Sequence, residues 1–336
     1  MPDVFPTTMT LDVPIPYVRR FCPVLPVLLV LTLFVSGYGT ASLLQEANDA
    51  YGKGALREAV TLYKQALKAG ENPTLGYFNL GNCYFQLDSL PQSIVYYRAA
   101  VDGAPDFFRG HLNLSIAYYS LEDYGNCIAS VSRALELEGG DRKALLIRAA
   151  ALRKAGGTAE SIVAFEQLYG LDKSSIDACI ALGEMYHEIG DDVTAAAWFE
   201  RYPESGANAL YVYTVLAEIH ERLGNPEKTL YYLQQAREKD YTNRWIHYRI
   251  CLTHDKTGNR RVALEEAKRS LGQFPDFGDL ALFAGNCAFA LGQLDDAGHF
   301  YMIAKNQGYP GAVVGLENIR LLRERQAAET VEERLQ

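Results

Sequence analysis

The chain has 336 residues, with 32 basic against 41 acidic side chains and a formal net charge of −9. That balance argues against capture of nucleic acid through a general basic surface. Apolar residues make up 49% of the chain, and no long charge block or low-complexity linker interrupts it, so it reads as one continuous folded array with a leader and a cap.

Residues 1–41 stand apart from the rest of the chain. Arg19 and Arg20 precede an apolar run from Phe21 to Val35, and Ser36-Gly37-Tyr38-Gly39-Thr40-Ala41 comes next. A basic start, a short apolar core and small residues at Gly39 and Ala41 describe a secretory signal peptide. The polar lead before Arg19 is long, and Met9 is an alternative start. An uncleaved signal anchor is the rival reading. The run is short against the roughly 20 residues of a bilayer span, and Pro23 and Pro26 weaken a helix there. Extension back through Ile15 and Val18 lengthens it. Both readings export residues 42–336, to a periplasmic location or to one anchored at the membrane, because the arginines stay on the cytoplasmic side. Cys22 does not follow the small apolar residues that lipoprotein processing needs.

From Thr40 to Gly311 the chain repeats every 34 residues, eight times without a gap. Small residues mark the period at position 8 of each repeat: Ala47, Gly81, Ser115, Ala149, Gly183, Ala217, Cys251 and Gly285. They mark it again at position 20, from Ala59 and Ser93 through to Ala297. A period of this size is the signature of a solenoid. In the second repeat Tyr77, Leu80, Gly81 and Tyr84 form the i, i+3, i+4, i+7 stripe of a helix with one buried face, and Ser93, Ile94, Tyr97 and Ala100 mark a second helix. Glycine at position 15 (Gly54, Gly156, Gly190, Gly224, Gly258, Gly292) ends the first helix, because it enters the left-handed conformation without steric cost. Asp88 and Glu122 replace it in repeats two and three, which predicts differently built turns. Pro105, Pro275 and Pro310 are expected to close second helices. Positions 8 and 20 are never large, so they are the expected crossing point within each hairpin. Large residues at position 24, such as Tyr63, Tyr97 and Phe165, fill the space between hairpins. Tyr202 and Pro203 predict an early end to the second helix of repeat five.

Residues 312–336 read as a capping helix with a charged tail, packed through Val313, Leu316, Ile319 and Leu322. Five cysteines follow the leader: Cys83, Cys127, Cys179, Cys251 and Cys287. Most fall in packing columns, no CxxC occurs and an odd number cannot all pair internally, so neither a disulfide framework nor a zinc site is expected. No glycine-rich phosphate loop, HExxH or GxSxG is present, and His220 and His254 sit in a column that holds tyrosine elsewhere. No catalytic residue, metal or cofactor is assigned.

The run Tyr77-Phe78-Asn79-Leu80-Gly81-Asn82-Cys83-Tyr84-Phe85, followed by Ser93-Ile94, Tyr97, Ala100 and Pro105, resembles the tetratricopeptide repeat family, and the resemblance covers residues 40–311. It implies an all-α, right-handed solenoid of about eight helix-turn-helix units, with first helices lining a concave groove. Positions 2, 5, 6, 9, 12 and 13 then face the groove. Asn48, Asn79, Asn82 and Asn113, with Tyr51, Phe85 and Tyr119, gather in the early repeats. Asparagine offers both donor and acceptor to the amides of an extended peptide. Further along, Glu184, Glu188, Glu218, Glu221 and Asp255 make the groove acidic.

Some members of the family grip a carboxy-terminal carboxylate. Asn48, Asn79 and Arg109 match three of the places they use, and Asn82, Asn113 and Lys143 match them one repeat later. Leu44 or Phe78 replaces the first lysine, and Asn113 or Ile147 the last arginine, which removes charge that holds a carboxylate. The sequence therefore points to a non-catalytic scaffold of the cell envelope that holds a protein or peptide segment in repeats one to four, with no nucleic acid partner. Two alternatives stay open. One is a non-catalytic subunit or regulator of an envelope enzyme, and the other a cytoplasmic co-chaperone-like adaptor.

Overall fold

A computed structural model describes residues 42–202 and 206–335. The leader, with its export signal or anchor, lies outside the described residues, as does Pro203. Among the described residues there are seventeen helices and no strand. The chain divides into two compact units, with the boundary between Met185 and Tyr186. None of the described helices is long and apolar enough to cross a membrane.

The first unit contains α1 (Leu43–Gly52), α2 (Leu56–Lys68), α3 (Pro73–Gln86), α4 (Leu90–Gly103), α5 (Phe108–Ser120), α6 (Tyr124–Leu137), α7 (Arg142–Lys154), α8 (Thr158–Leu171) and most of α9 (Ile176–Glu188). From α1 to α8 each helix packs on the next in chain order, and α5 also touches α7. The second unit holds α10 (Asp192–Phe199), α11 (Ala209–Arg222), α12 (Pro226–Lys239), α13 (Arg244–Lys256), α14 (Arg260–Gln273), α15 (Gly278–Ala290), α16 (Leu294–Asn306) and α17 (Pro310–Leu335). The same neighbour-on-neighbour packing runs from α10 to α17.

Close approach within each hairpin depends on the small columns. Ala47, Ser115, Ala149, Ala217 and Cys251 at position 8 are fully buried, as are Ala59, Ser93, Cys127, Ser161, Ala195, Ala263 and Ala297 at position 20. In repeat four the two columns meet directly, where Ser161 Oγ donates to the Ala149 carbonyl at 2.8 Å. A methyl group added at Gly81 would lie 2.4 Å from the Tyr97 ring, and one at Gly285 would lie 2.6 Å from the Tyr301 ring. The position 24 ring thus lies on the glycine of its own repeat. Position 3 is tight as well: a methyl at Gly76 would meet Leu67 at 2.7 Å, on the second helix of the preceding repeat.

The turns overturn one sequence expectation. Asp88 and Glu122 do not build different turns. They take the same left-handed backbone, with φ of 58° and 61°, as Gly54 at 75° and Gly156 at 84°. The hydrogen bonds agree. Gly54, Asp88, Glu122 and Gly156 each donate to the carbonyl three residues back, and the following residue donates to the carbonyl five back. This paired pattern satisfies the last carbonyls of the first helix, and it outweighs the steric cost of a side chain at that position.

Two further expectations shift. Pro310 opens α17 and does not close α16, which ends at Asn306. Proline suits a first helical turn because its missing N–H has no partner there anyway. As a result the packing face of α17 is displaced. Ala312, Gly315 and Ile319 are buried, Leu316 and Leu322 are half-buried, and Val313, expected to pack, is exposed. In repeat five the second helix is short, as Tyr202 and Pro203 led one to expect. α10 has 8 residues, and Tyr202 folds inward, where its Oη accepts from the Asn208 N–H at 2.8 Å.

Glu122 is exposed and bears the steric cost of its conformation. Glu122→Gly is expected to raise stability by about 0.5–1 kcal/mol, after the greater chain entropy of glycine offsets part of the gain. A thermal melt checks this, and Gly156→Glu in the neighbouring repeat should lower stability by a similar amount.

Candidate functional site

The first helices α1, α3, α5 and α7 carry the candidate residues, and the structure brings four of them together by their amides. Asn48 Oδ1 accepts from Tyr63 Oη at 2.7 Å and from Asn79 Nδ2 at 3.1 Å. One repeat later Asn82 Oδ1 accepts from Tyr97 Oη at 2.7 Å and from Asn113 Nδ2 at 2.9 Å. Asn82 Nδ2 closes the series on Asn79 Oδ1 at 3.5 Å. The result is a ladder of side-chain amides from α1 to α5, anchored by a tyrosine hydroxyl from α2 and another from α4. Asn82 is buried, Asn79 and Asn113 are half-buried, and Asn48 is exposed. Both acceptor sites on Asn48 Oδ1 and Asn82 Oδ1 are filled from within the chain, since a carbonyl oxygen has two lone pairs. Asn286 and Tyr301 repeat the first rung in the second unit, at 2.9 Å.

The aromatics divide. Phe85 is half-buried against the two clusters that contain Leu112 and Leu114. Tyr119 packs edge-on to Tyr124 with centroids 5.6 Å apart. Tyr51 Oη accepts from Gln86 Nε2 at 2.5 Å, which joins position 12 to position 13 of the next repeat. The same column pair recurs in the second unit, where Glu221 binds Lys256 at 2.5 Å. Arg222 stands in the same relation to His187 and also pairs with Asp192 at 2.5 Å. Sequence reasoning missed Gln86, Arg222 and Lys256, although a donor 35 residues after an acceptor at position 12 is a legible signal.

Arg109 and Lys143 differ from the ladder. They occupy position 2 on α5 and α7, and among the described residues neither has a hydrogen-bond or ion-pair partner. Arg109 is exposed and Lys143 half-buried. Lys143 lines an open cleft of about 410 Å³ with Leu146, Leu168, Ser175, Ile176 and Asp177. At its rim Arg142 pairs with Asp172 at 2.8 Å. Burial raises the pKa of Asp177.

The expected acidic run is corrected at three of its members. Glu184 is buried and pairs with Arg153 at 2.7 Å. Glu221 pairs with Arg249 and Lys256, and Asp255 with Arg260 at 2.7 Å. Each carboxylate meets a basic partner in a facing column or across its turn, so its charge is neutralised locally. Glu218 is exposed without a partner among the described residues. His220 is buried, with its ring stacked on Tyr232 at 5.5 Å, and desolvation lowers its pKa.

Two stretches, residues 44–106 and 249–312, match the family described as tetratricopeptide repeat. The helix pairs between them keep the same 34-residue spacing and the same turn. Over the matched stretches the chain carries tetratricopeptide repeats. No curated protein matches it at a significant level. Among solved structures it is similar to MamA, with 20% identity over 50% of this chain and 92% of that one, and a TM-score of 0.48. It is also similar to a tetratricopeptide repeat protein from Parabacteroides merdae, with 14% identity over 74% and 99% of the two chains and a TM-score of 0.46. A third is YrrB, described as a tetratricopeptide repeat protein with an unusual peptide-binding site, with 18% identity over 56% and 97% and a TM-score of 0.45.

The ladder has a measurable consequence. Asn82→Ala removes the amide oxygen that accepts from the buried Tyr97 hydroxyl and should cost about 1–3 kcal/mol in urea unfolding, whereas Tyr97→Phe leaves Asn82 with its bond from Asn113 and should cost about 1 kcal/mol or less.

The ion pairs of the second unit predict an acid response. Burial works to raise the pKa of Glu221, but its bonds and charge contacts with Lys256 and Arg249 outweigh burial and hold it below the ordinary value. A lowered folded pKa contributes stability that is present above the unfolded value of about 4.3 and is lost as pH falls through the folded one. The urea midpoint should therefore drop on acidification below about pH 4.3, and Glu221→Gln should flatten that drop.

Proposed function

We propose that this chain is a non-catalytic scaffold of the cell envelope, whose first unit holds an extended segment of a partner protein. Tetratricopeptide repeat proteins bind peptides or proteins, and they are generally interaction modules, not enzymes. The observation that carries the finer reading is the pair of unpartnered cations, Arg109 and Lys143, in one column of neighbouring helices. α5 and α7 are in contact. Packed helices stand roughly 8–10 Å apart, which about three residues of extended chain would span. Arg109 and Lys143 would then meet acidic side chains or a terminal carboxylate about three residues apart. Asn113, whose Oδ1 accepts no bond among the described residues, is left to receive a peptide N–H. Asn48, Asn79 and Asn82 hold the surface in shape, while Tyr51, Phe85 and Tyr119 supply apolar contact. A preformed surface of this kind spares the cost of ordering it on binding.

The leader supports the envelope location through its arginines, its apolar run and the small residues at Gly39 and Ala41. The cysteines are compatible with export. Cys83, Cys127, Cys179, Cys251 and Cys287 are all buried, and burial pushes the Cys83, Cys127 and Cys251 thiols up to about 12 and Cys287 to about 11. Thiols so poor in thiolate are inert in an oxidising compartment.

A crosslinking pull-down with the full chain tests the proposal. Arg109→Ala combined with Lys143→Ala should lose partner recovery by about tenfold or more, which corresponds to about 1.4 kcal/mol, while the thermal midpoint stays unchanged. Equal recovery would move the site away from repeats three and four. Cell fractionation tests the compartment, and a soluble cytoplasmic protein with an intact amino terminus would overturn the envelope assignment.

A further inference from the structure

Position 2 of the first helices changes sign along the first unit. Arg109, Lys143 and Asp177 follow one another at 34-residue spacing, on α5, α7 and α9. Asp177 lies in the first turn of α9, in the cleft of about 410 Å³ that Lys143 also lines. Both are half-buried. They form no ion pair with each other, and among the described residues Asp177 has no other hydrogen-bond or ion-pair partner.

The acids around Asp177 are treated differently. Asp172 at the rim pairs with Arg142 at 2.8 Å, and Glu184 further along α9 pairs with Arg153 at 2.7 Å. A helix N-terminus favours negative charge, so its place alone should help Asp177 to ionise. Burial outweighs the helix and raises its pKa. The carboxylate is held in a partly dry place with nothing to compensate it, which costs free energy. A cation brought in by a ligand recovers that cost.

The lining says what kind of cation fits. Leu146 and Leu168 are buried along the cleft, and Ile176 beside them is exposed. A small inorganic cation gains nothing from apolar lining. The stem of a lysine or arginine does, because it lies along apolar surface while its charged head reaches a polar partner.

Spacing sets the order of charges on the ligand. Packed helices stand roughly 8–10 Å apart. A β-strand turns alternate side chains to opposite faces, so residues three apart do not share a face. A polyproline II segment has three residues per turn and rises about 9 Å per turn. Its residues i, i+3 and i+6 share one edge at the spacing of the helices.

We propose that the partner segment carries a lysine or arginine three residues beyond the second of its two acids, and that this base enters the cleft against Asp177. The proposal rests on the reading that those acids meet Arg109 and Lys143. The segment crosses α5, α7 and α9 in polyproline II form, as acid-x-x-acid-x-x-base, or base-x-x-acid-x-x-acid where its chain runs the other way. Asp177 sets specificity, because it repels a wholly acidic segment that Arg109 and Lys143 alone would accept.

Fluorescence anisotropy with the full chain and end-blocked alanine–proline peptides tests this. The probes carry two glutamates three residues apart and a lysine three further on, in both orders. Replacing the lysine by alanine should weaken binding about tenfold, and replacing it by glutamate should weaken it more. Moving the lysine by one residue should cost as much as removing it. Asp177→Asn should bind the lysine and alanine probes alike, since the coupling needs both partners. Its thermal midpoint should hold or rise, because a partly buried charge has gone. A lysine that adds nothing, or a gain that survives in Asp177→Asn, would overturn the proposal and leave the reading of Arg109 and Lys143 in place. So would free lysine that competes as well as the probe, because the cleft would then take a small molecule. Failure of that reading shows differently: the glutamates also add nothing, and Arg109→Ala with Lys143→Ala leaves affinity unchanged.

Discussion

The packing of a position 24 ring on a position 8 glycine organises much of this structure. At Gly81 there is no room for a methyl group beneath Tyr97, so α3 and α4 approach until ring and backbone touch. That approach has a second effect. It aims the Tyr97 hydroxyl at the buried Asn82 on the same helix as Gly81, where the amide accepts it. One contact therefore sets the spacing of the hairpin and commits Asn82 to structural duty. Where position 24 is apolar, as at Val131 and Phe165, no hydroxyl makes this demand, and position 9 is released to Ile116 or Ala150.

This coupling separates two kinds of residue that family resemblance places on one surface. Asn48, Asn79 and Asn82 spend their acceptors on each other and on tyrosines. Glu184 and Glu221 spend their charge on arginine and lysine of the neighbouring repeat. Both arrangements bond one repeat to the next, which a solenoid needs because each unit touches only its neighbours. Among the described residues of the first unit, the groups left over include Arg109, Lys143 and the Asn113 amide oxygen. The electrostatic character of the surface follows from these leftovers and not from the count of acids and bases on the first helices.

Most of the fold was legible in the sequence. The 34-residue spacing, the small columns and the i, i+3, i+4, i+7 stripes announce helix pairs because burial of one face imposes that periodicity. The errors came where a backbone demand outranked a side-chain preference. Asp88 and Glu122 adopt the left-handed turn because the carbonyls ending the helix need their donors. Pro310 could be read as a stop or a start, and only the end of α16 at Asn306 distinguishes them. The site was legible as a set of positions but not as a set of roles. Asn82 and Asn113 look equivalent in sequence, yet one is saturated and the other keeps a free acceptor.

The sequence by itself determined the repeat, its helix pairs, the inert placement of the cysteines and the candidate columns, since each is a matter of periodicity and side-chain size along one chain. Only the tertiary structure decided which amides, acids and bases pair with one another, because partners 15, 31 or 35 residues apart meet through the packing of separate helices. It also decided which face of α17 is covered. A shift of the helix start by a residue or two turns a helix by 100° or more, and no count along the chain reveals that rotation.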